Sequence, residues 1–113
     1  MTWAPCTEED GLPTLTGSEG GTVITDEEHG YGARITLEQP GVRGPFAITC
    51  GIYGWMVHTC YFSSLDEAQR AYEAMKPGLE MILEMIPMKS DPQIDLKMKL
   101  AGNEISRFVD RFP

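Results

Sequence analysis

The chain has 113 residues, of which 42% are apolar and 23% are charged, and these values are typical of one folded domain and argue against disorder. The formal net charge is −8, and residues 1–40 hold eight acids against one base. No basic stripe offsets this charge, so the sequence predicts no binding to nucleic acid or to an anionic membrane. The excess of acidic residues keeps the protein soluble or, alternatively, forms an acidic surface that binds a basic protein partner.

The three cysteines, Cys6, Cys50 and Cys60, are an odd number without a C-x-x-C spacing. This pattern favours free thiols in a reducing compartment over a disulfide framework. The first residues lack the basic and apolar regions of a signal peptide, and no apolar run is long enough to cross a bilayer. We therefore expect a cytoplasmic protein that forms a single domain over residues 1–113.

Residues 1–20 are rich in glycine, proline and acids, which predicts an extended or irregular segment. Trp3 and Leu15 are the expected points of attachment to the core. The segment from Gln39 to Pro45 is dense in turn residues and predicts a loop.

Two strand-like runs follow the N-terminal segment, Thr22–Thr25 and Ala33–Leu37. The glycines between them suit a tight hairpin, and a turn at His29-Gly30 would place Ile24 opposite Ile35.

A second strand pair is predicted at Phe46–Ile52 and Trp55–Phe62, with Tyr53-Gly54 as its turn. In this register one face carries Phe46, Ile48, Cys50, Ile52, Trp55, Val57, Thr59 and Tyr61. The second face carries Ala47, Thr49, Gly51, Met56, His58, Cys60 and Phe62. The last strand has no charged residue, which is typical of a strand covered on both faces. Either the N-terminal segment or a second copy of the protein is expected to cover the second face, and the sequence favours the copy. The alternative is a partly exposed face with nothing bound to it.

A helix is predicted from the N-cap Ser64, because Glu67 completes a capping box and apolar residues then recur at helical spacing. The helix should bend at Pro77 and end at Pro87. A further apolar stripe, formed by Met81, Met85 and Met88, is expected to pack in the core or, alternatively, to form an adaptable groove for a partner, and core packing is favoured.

Residues 93–100 fit either a strand or a helix, and the continuing apolar spacing to Phe112 favours a helix that starts at Asp91-Pro92. Gly102-Asn103 is a candidate break in it. The predicted fold is α+β, ββββαα: a four-stranded antiparallel meander, then a kinked helix and a C-terminal helix packed on one sheet face.

His58-x-Cys60 is the pair most suggestive of chemistry, because a nucleophilic thiol needs a nearby base. Side chains two apart on a strand are, however, about 6–7 Å apart at their bases, and a buried free cysteine is commonly inert. No motif indicates a metal, a nucleotide or another cofactor, and the acids at Asp26–Glu28 lack the pattern of a calcium loop.

Two classes of function stay open. The first is a non-enzymatic interaction domain, homodimeric through the apolar second face, and the second is a small-molecule-binding or enzymatic domain with an aromatic-lined pocket between sheet and helices. The absence of a catalytic motif favours the first. The candidate ligand or interface residues are Tyr53, Trp55, Met56, His58, Cys60, Tyr61 and Phe62.

Overall fold

The computed structural model describes residues 3–7, 11–40 and 44–113. Its strands are β1 (Trp3–Pro5), β2 (Thr22–His29), β3 (Ala33–Gln39), β4 (Phe46–Ile52) and β5 (Met56–Phe62), and its helices are α1 (Leu65–Met85) and α2 (Ile94–Arg111). The strands form one antiparallel sheet in the order β1-β2-β3-β4-β5. The α+β meander followed by two helices is therefore confirmed, with β1 as an additional fifth strand. Residues 8–10 and 41–43, which fall in the predicted N-terminal segment and loop, lie outside the described residues.

The core lies between one sheet face and α1, with part of α2 beside it. Its fully buried large side chains include Ile35, Leu37, Ile48, Ile52, Met75, Leu79 and Ile82. These residues alternate along the strands and recur every three or four positions along α1, so each element turns one apolar side to the same interior.

Both helices begin close to where the sequence predicts. The Ser64 side chain accepts a hydrogen bond from the Glu67 amide at 3.2 Å, and α1 then runs continuously through Pro77. Asp91 accepts from the Gln93 amide at 2.8 Å just before α2, which is also continuous, so the candidate break at Gly102-Asn103 is absent.

The N-terminal segment is attached differently from the prediction. Trp3 lies in β1, and its indole nitrogen donates to Glu80 on α1 at 2.7 Å, which confirms Trp3 as an attachment point. The Leu15 side chain is 75% exposed, so the predicted burial of Leu15 is wrong. Its carbonyl instead accepts from the Val23 amide.

The register of the first hairpin differs from the prediction because its loop is longer. His29 pairs with Ala33, and Gly32 occupies the loop with a φ of 109°, a conformation that glycine adopts without strain. Ile24 lies at a register irregularity between Val23 and Thr25, so it does not face Ile35.

The register of the second hairpin is shifted by one residue. Ile52 pairs with Met56, which leaves a three-residue loop, and Gly54 in it has a φ of 82°. Since side chains alternate along a strand, this shift moves the whole of β5 to the opposite face. Met56, His58, Cys60 and Phe62 therefore share the helix-facing side with Ile48, Cys50 and Ile52.

The methionine stripe is not buried as predicted. Met81 on α1 is 52% exposed, and Met88, which follows the end of α1, is 77% exposed. The helix pair therefore leaves apolar side chains on its surface.

Candidate functional site

The sheet face that points away from the helices, here called the open face, is built of three residue rows that cross the strands. The first row is Glu28, Arg34, Gly51 and Val57; the second is Asp26, Thr36, Thr49 and Thr59; the third includes Glu38, Ala47 and Tyr61. In the first row Gly51 has no side chain to fill the space between Arg34 and Val57. A gap in the face follows directly from this residue.

A cleft of about 800 Å³ opens at this gap, and we call it the open-face cleft. The residues that line it are Thr14, Thr16, Gly17, Ser18, Arg34, Thr36, Thr49, Cys50, Gly51, Ile52, Tyr53, Gly54, Trp55, Met56 and Val57. Residues 14–18 form one wall, the β4–β5 loop forms the other, and β3 and β4 form the floor. Its volume lies within the range of pockets that hold small molecules.

Glu38 holds the N-terminal wall of the cleft in place. Its side chain is fully buried and accepts hydrogen bonds from the Gly21 amide at 2.7 Å and the Glu19 amide at 3.1 Å. A β-carbon on Gly17 would lie only 2.4 Å from the Glu38 side chain, so the close approach of this segment requires glycine there. The Ser18 hydroxyl also lies 3.1 Å from that of Thr49 on the floor.

Arg34 supplies the charge on the floor, and its partner Asp26 lies beside it on β2. The guanidinium donates from Nε and Nη2 to the two carboxylate oxygens of Asp26, and from Nη2 to the hydroxyl of Thr14 at 3.3 Å. Thr36 donates to the same carboxylate at 2.9 Å. The hydrogen bond to Asp26 raises the pKa of Arg34 above its usual value, so the guanidinium stays charged.

One nitrogen of Arg34, Nη1, differs from the other two in its hydrogen bonding. Nη1 makes no hydrogen bond to any residue in the described part of the chain, and the Arg34 side chain is 37% exposed. A guanidinium carries five N–H groups, so two of them stay available on Nη1. The Asp26 carboxylate compensates the charge of Arg34, and the cleft floor carries little net charge.

The opposite wall is aromatic. The Tyr53 amide donates to the Gly32 carbonyl at 2.9 Å, which ties the two hairpin loops together. The Tyr53 ring is 59% exposed, and Trp55 beside it is half-buried against the core. Burial and the nearby Glu28 raise the pKa of Tyr53, so its hydroxyl is protonated at neutral pH and can donate.

The structure separates the seven residues that the sequence analysis selected. Tyr53, Trp55 and Met56 line the open-face cleft. Tyr61 lies on the open face outside the cleft, where its hydroxyl donates to Glu19. His58, Cys60 and Phe62 lie on the helix side of the sheet and take no part in the cleft.

His58 and Cys60 share a partner instead of acting on each other. His58 Nε2 lies 2.6 Å from the Phe112 carbonyl oxygen, and the Cys60 thiol donates to the same oxygen at 3.1 Å. Phe112 is the C-cap of α2, so the pair fastens the end of this helix to β5. Burial raises the pKa of the Cys60 thiol, which disfavours a reactive thiolate.

The predicted pocket between sheet and helices is filled by side chains, and the cleft lies on the other side of the sheet. Arg34, Gly51 and Glu38 were not predicted from the sequence as candidate site residues. A glycine within a predicted strand was the available signal, because it indicates a bulge or a close approach by another group. Nothing local in the sequence distinguishes Glu38 from a solvated acid.

Across residues 3–7, 11–40 and 44–113, no cluster of three or more His, Cys, Asp or Glu side chains has an arrangement suited to a metal ion. No helix in these residues has both the length and the apolar character needed to cross a membrane. Comparison with protein-family models, with curated proteins and with solved structures finds no match.

Proposed function

We propose that this chain is a non-enzymatic domain that binds a small, uncharged and partly aromatic molecule in the open-face cleft. The observation that carries the proposal is the cleft itself: about 800 Å³, one aromatic wall, and hydrogen-bonding groups on the floor and the facing wall. Binding sites for small molecules combine a concave, largely apolar lining with a few placed polar groups, and this cleft has both.

The charges favour an uncharged ligand. Among the described residues that line the cleft, Arg34 alone is formally charged, and the buried carboxylate of Asp26 compensates its charge. The chain as a whole carries −8, so an anion would approach against the field of the protein. A cation would have to lie beside the guanidinium, which repels it.

The polar groups indicate what the ligand presents to them. Arg34 Nη1 offers two donors, which suits a carbonyl oxygen of the ligand. The hydroxyls of Thr16 and Ser18 lie on the facing wall and can donate or accept. Tyr53 and Trp55 offer ring faces for a flat apolar portion.

The lining also explains why we propose binding without catalysis. Cys50 also lines the cleft, but its side chain lies on the helix side of the sheet, where the residue is 1% exposed. Burial raises the pKa of its thiol to about 12. Among the described residues that line the cleft, none is a histidine or a carboxylate that could act as a base toward the serine and threonine hydroxyls.

The test uses three planar probes that differ mainly in charge: indole-3-acetamide, indole-3-acetate and tryptamine. Each is titrated into the ¹⁵N-labelled protein, and amide shifts are followed by proton–nitrogen correlation NMR. We expect indole-3-acetamide to bind most tightly and to shift the amides of residues 14–18 and 49–57. Shifts centred on the helices instead, or equal affinity for all three probes, would contradict the proposal.

A further inference from the structure

Strand β5 forms one edge of the sheet, and its outer side has no backbone partner in the described part of the chain. Natural proteins usually protect such an edge with charges, proline, a bulge or a very short strand. The opposite edge follows that rule, because β1 has three residues and ends at Pro5. By contrast, β5 has seven paired residues without a charge or a proline.

The sequence of β5 is complementary to itself. A twofold axis through Thr59 would pair each residue with the one equally distant from Thr59 in a second, antiparallel copy. The resulting pairs are Met56 with Phe62, Val57 with Tyr61, His58 with Cys60, and Thr59 with itself. The first pair joins two apolar residues, and the second joins a β-branched residue with an aromatic one. The third and fourth pairs join polar residues.

The pair of Val57 and Tyr61 explains two exposed side chains. Val57 is 80% exposed and Tyr61 is 55% exposed, and both lie on the open face. A β-branched residue opposite an aromatic residue across two antiparallel strands is a favourable pair. The twofold axis would form this pair twice.

The distribution of charge also favours association through the β5 edge. Two copies of a chain with a net charge of −8 repel each other, and contact is least costly where neither copy carries a charge. The strand β5 has none over its full length.

We propose that two copies of this chain associate through β5, antiparallel and centred on Thr59, so that two five-stranded sheets become one continuous sheet. Each copy satisfies the free edge of the other, with about six backbone hydrogen bonds across the axis. Val57 lines the open-face cleft, so the partner's Tyr61 comes to lie at the rim of that cleft. The association itself does not depend on whether a ligand binds there.

Native mass spectrometry measures the association directly. We expect a species of twice the 12.5 kDa chain mass. Thr59→Lys should convert it to a monomer, because Thr59 is the residue that faces its own copy and two lysines would then oppose each other. Glu73→Lys adds the same residue type at an exposed site on α1 and should leave the dimer intact. A wild-type protein that is monomeric, or a dimer that persists in Thr59→Lys, overturns the proposal.

Disulfide trapping tests the register. Under mild oxidation Thr59→Cys should form a linked dimer, since the two substituted positions face each other at the axis. Val57→Cys is the matched control, because its two copies would be about 13 Å apart along the strands and should not link. The native thiols are buried and do not contribute. A linked dimer from Val57→Cys, or none from Thr59→Cys, would show that this register is wrong.

Discussion

Arg34 and Asp26 meet in a two-point ion pair, with Nε at 3.0 Å from one carboxylate oxygen and Nη2 at 2.6 Å from the other. Asp26 is almost completely buried beneath the guanidinium, whereas Arg34 is partly exposed in the cleft. The pair therefore presents a fixed and fully charged donor to the cleft, and removes most of its net charge at the same time.

Asp26→Asn should change which probe the cleft prefers. The guanidinium would lose its compensating charge, so the preference should move from indole-3-acetamide toward indole-3-acetate. The variant should also lose about 1–3 kcal/mol of stability, since a buried, hydrogen-bonded charge pair is broken. Calorimetric titration with both probes checks the first effect, and urea denaturation checks the second. An unchanged preference in a folded Asp26→Asn protein would mean that Arg34 does not contact the ligand.

The sequence predicted the elements of the fold because their signals are local. The capping box at Ser64 and Glu67 and the apolar spacing of α1 depend on neighbours within a few turns. The hairpin registers were wrong because each depends on a single loop residue in a left-handed conformation. The β4–β5 loop includes Trp55 in addition to the predicted turn residues Tyr53 and Gly54, and this extra residue moves Met56 and His58 to the helix side.

The site was only partly predictable for the same reason. Tyr53 and Trp55 were predicted to line an aromatic pocket between sheet and helices, and they line the cleft on the other side of the sheet instead. Arg34, Gly51 and Val57 become neighbours only through the pairing of three strands. The buried position of Glu38 depends on a segment folding back from residues 17–21, which no local pattern encodes.

The free energy of unfolding should fall at acidic pH, because Glu27 on β2 becomes protonated. Burial raises the pKa of Glu27, but hydrogen bonds from Lys76 and Tyr72 outweigh it and hold the pKa below the usual 4.5. The stabilisation by ionised Glu27 is therefore complete at a pH above the pKa of this residue in the unfolded chain. It is lost as the pH falls through the lower pKa that Glu27 has in the folded protein.

Glu27→Gln should lower the free energy of unfolding by about 1–2 kcal/mol at neutral pH, because the ion pair with Lys76 is lost. The difference from wild type should shrink as the pH falls below 4.5. Urea denaturation at several pH values checks both statements, with Glu84→Gln at an exposed site on α1 as control. A difference that stays constant into acid would assign the loss to something other than charge.

Replacing two helical glycines by alanine should change the stability of the protein in opposite directions. A β-carbon on Gly102 in α2 meets no atom within 4 Å, so Gly102→Ala should stabilise the protein by about 0.4–1 kcal/mol. A β-carbon on Gly78 in α1 would lie 2.8 Å from Arg111 and 2.9 Å from the Phe108 ring, so Gly78→Ala should cost about 1–3 kcal/mol.

Urea midpoints of the two alanine variants, measured side by side, test the packing of α1 against α2. Equal shifts for both variants would mean that the helices do not approach each other at Gly78 as described.

The open-face cleft exists because residue 51 has no side chain. Gly51→Val should therefore fill the cleft. A β-carbon there would lie 3.2 Å from the Met56 carbonyl oxygen, which a small shift of that strand can accommodate. Thr59→Val is the matched control, because it adds no bulk to the cleft on the same face. Correlation spectra establish that both variants are folded before any titration.

The most direct measurement is a calorimetric titration of indole-3-acetamide into wild type, Thr59→Val and Gly51→Val. We expect wild type and Thr59→Val to bind with equal affinity, and Gly51→Val to lose at least about tenfold, equivalent to about 1.4 kcal/mol. Full affinity in a folded Gly51→Val protein, or no binding to wild type, would contradict the assignment of the open-face cleft as the binding site.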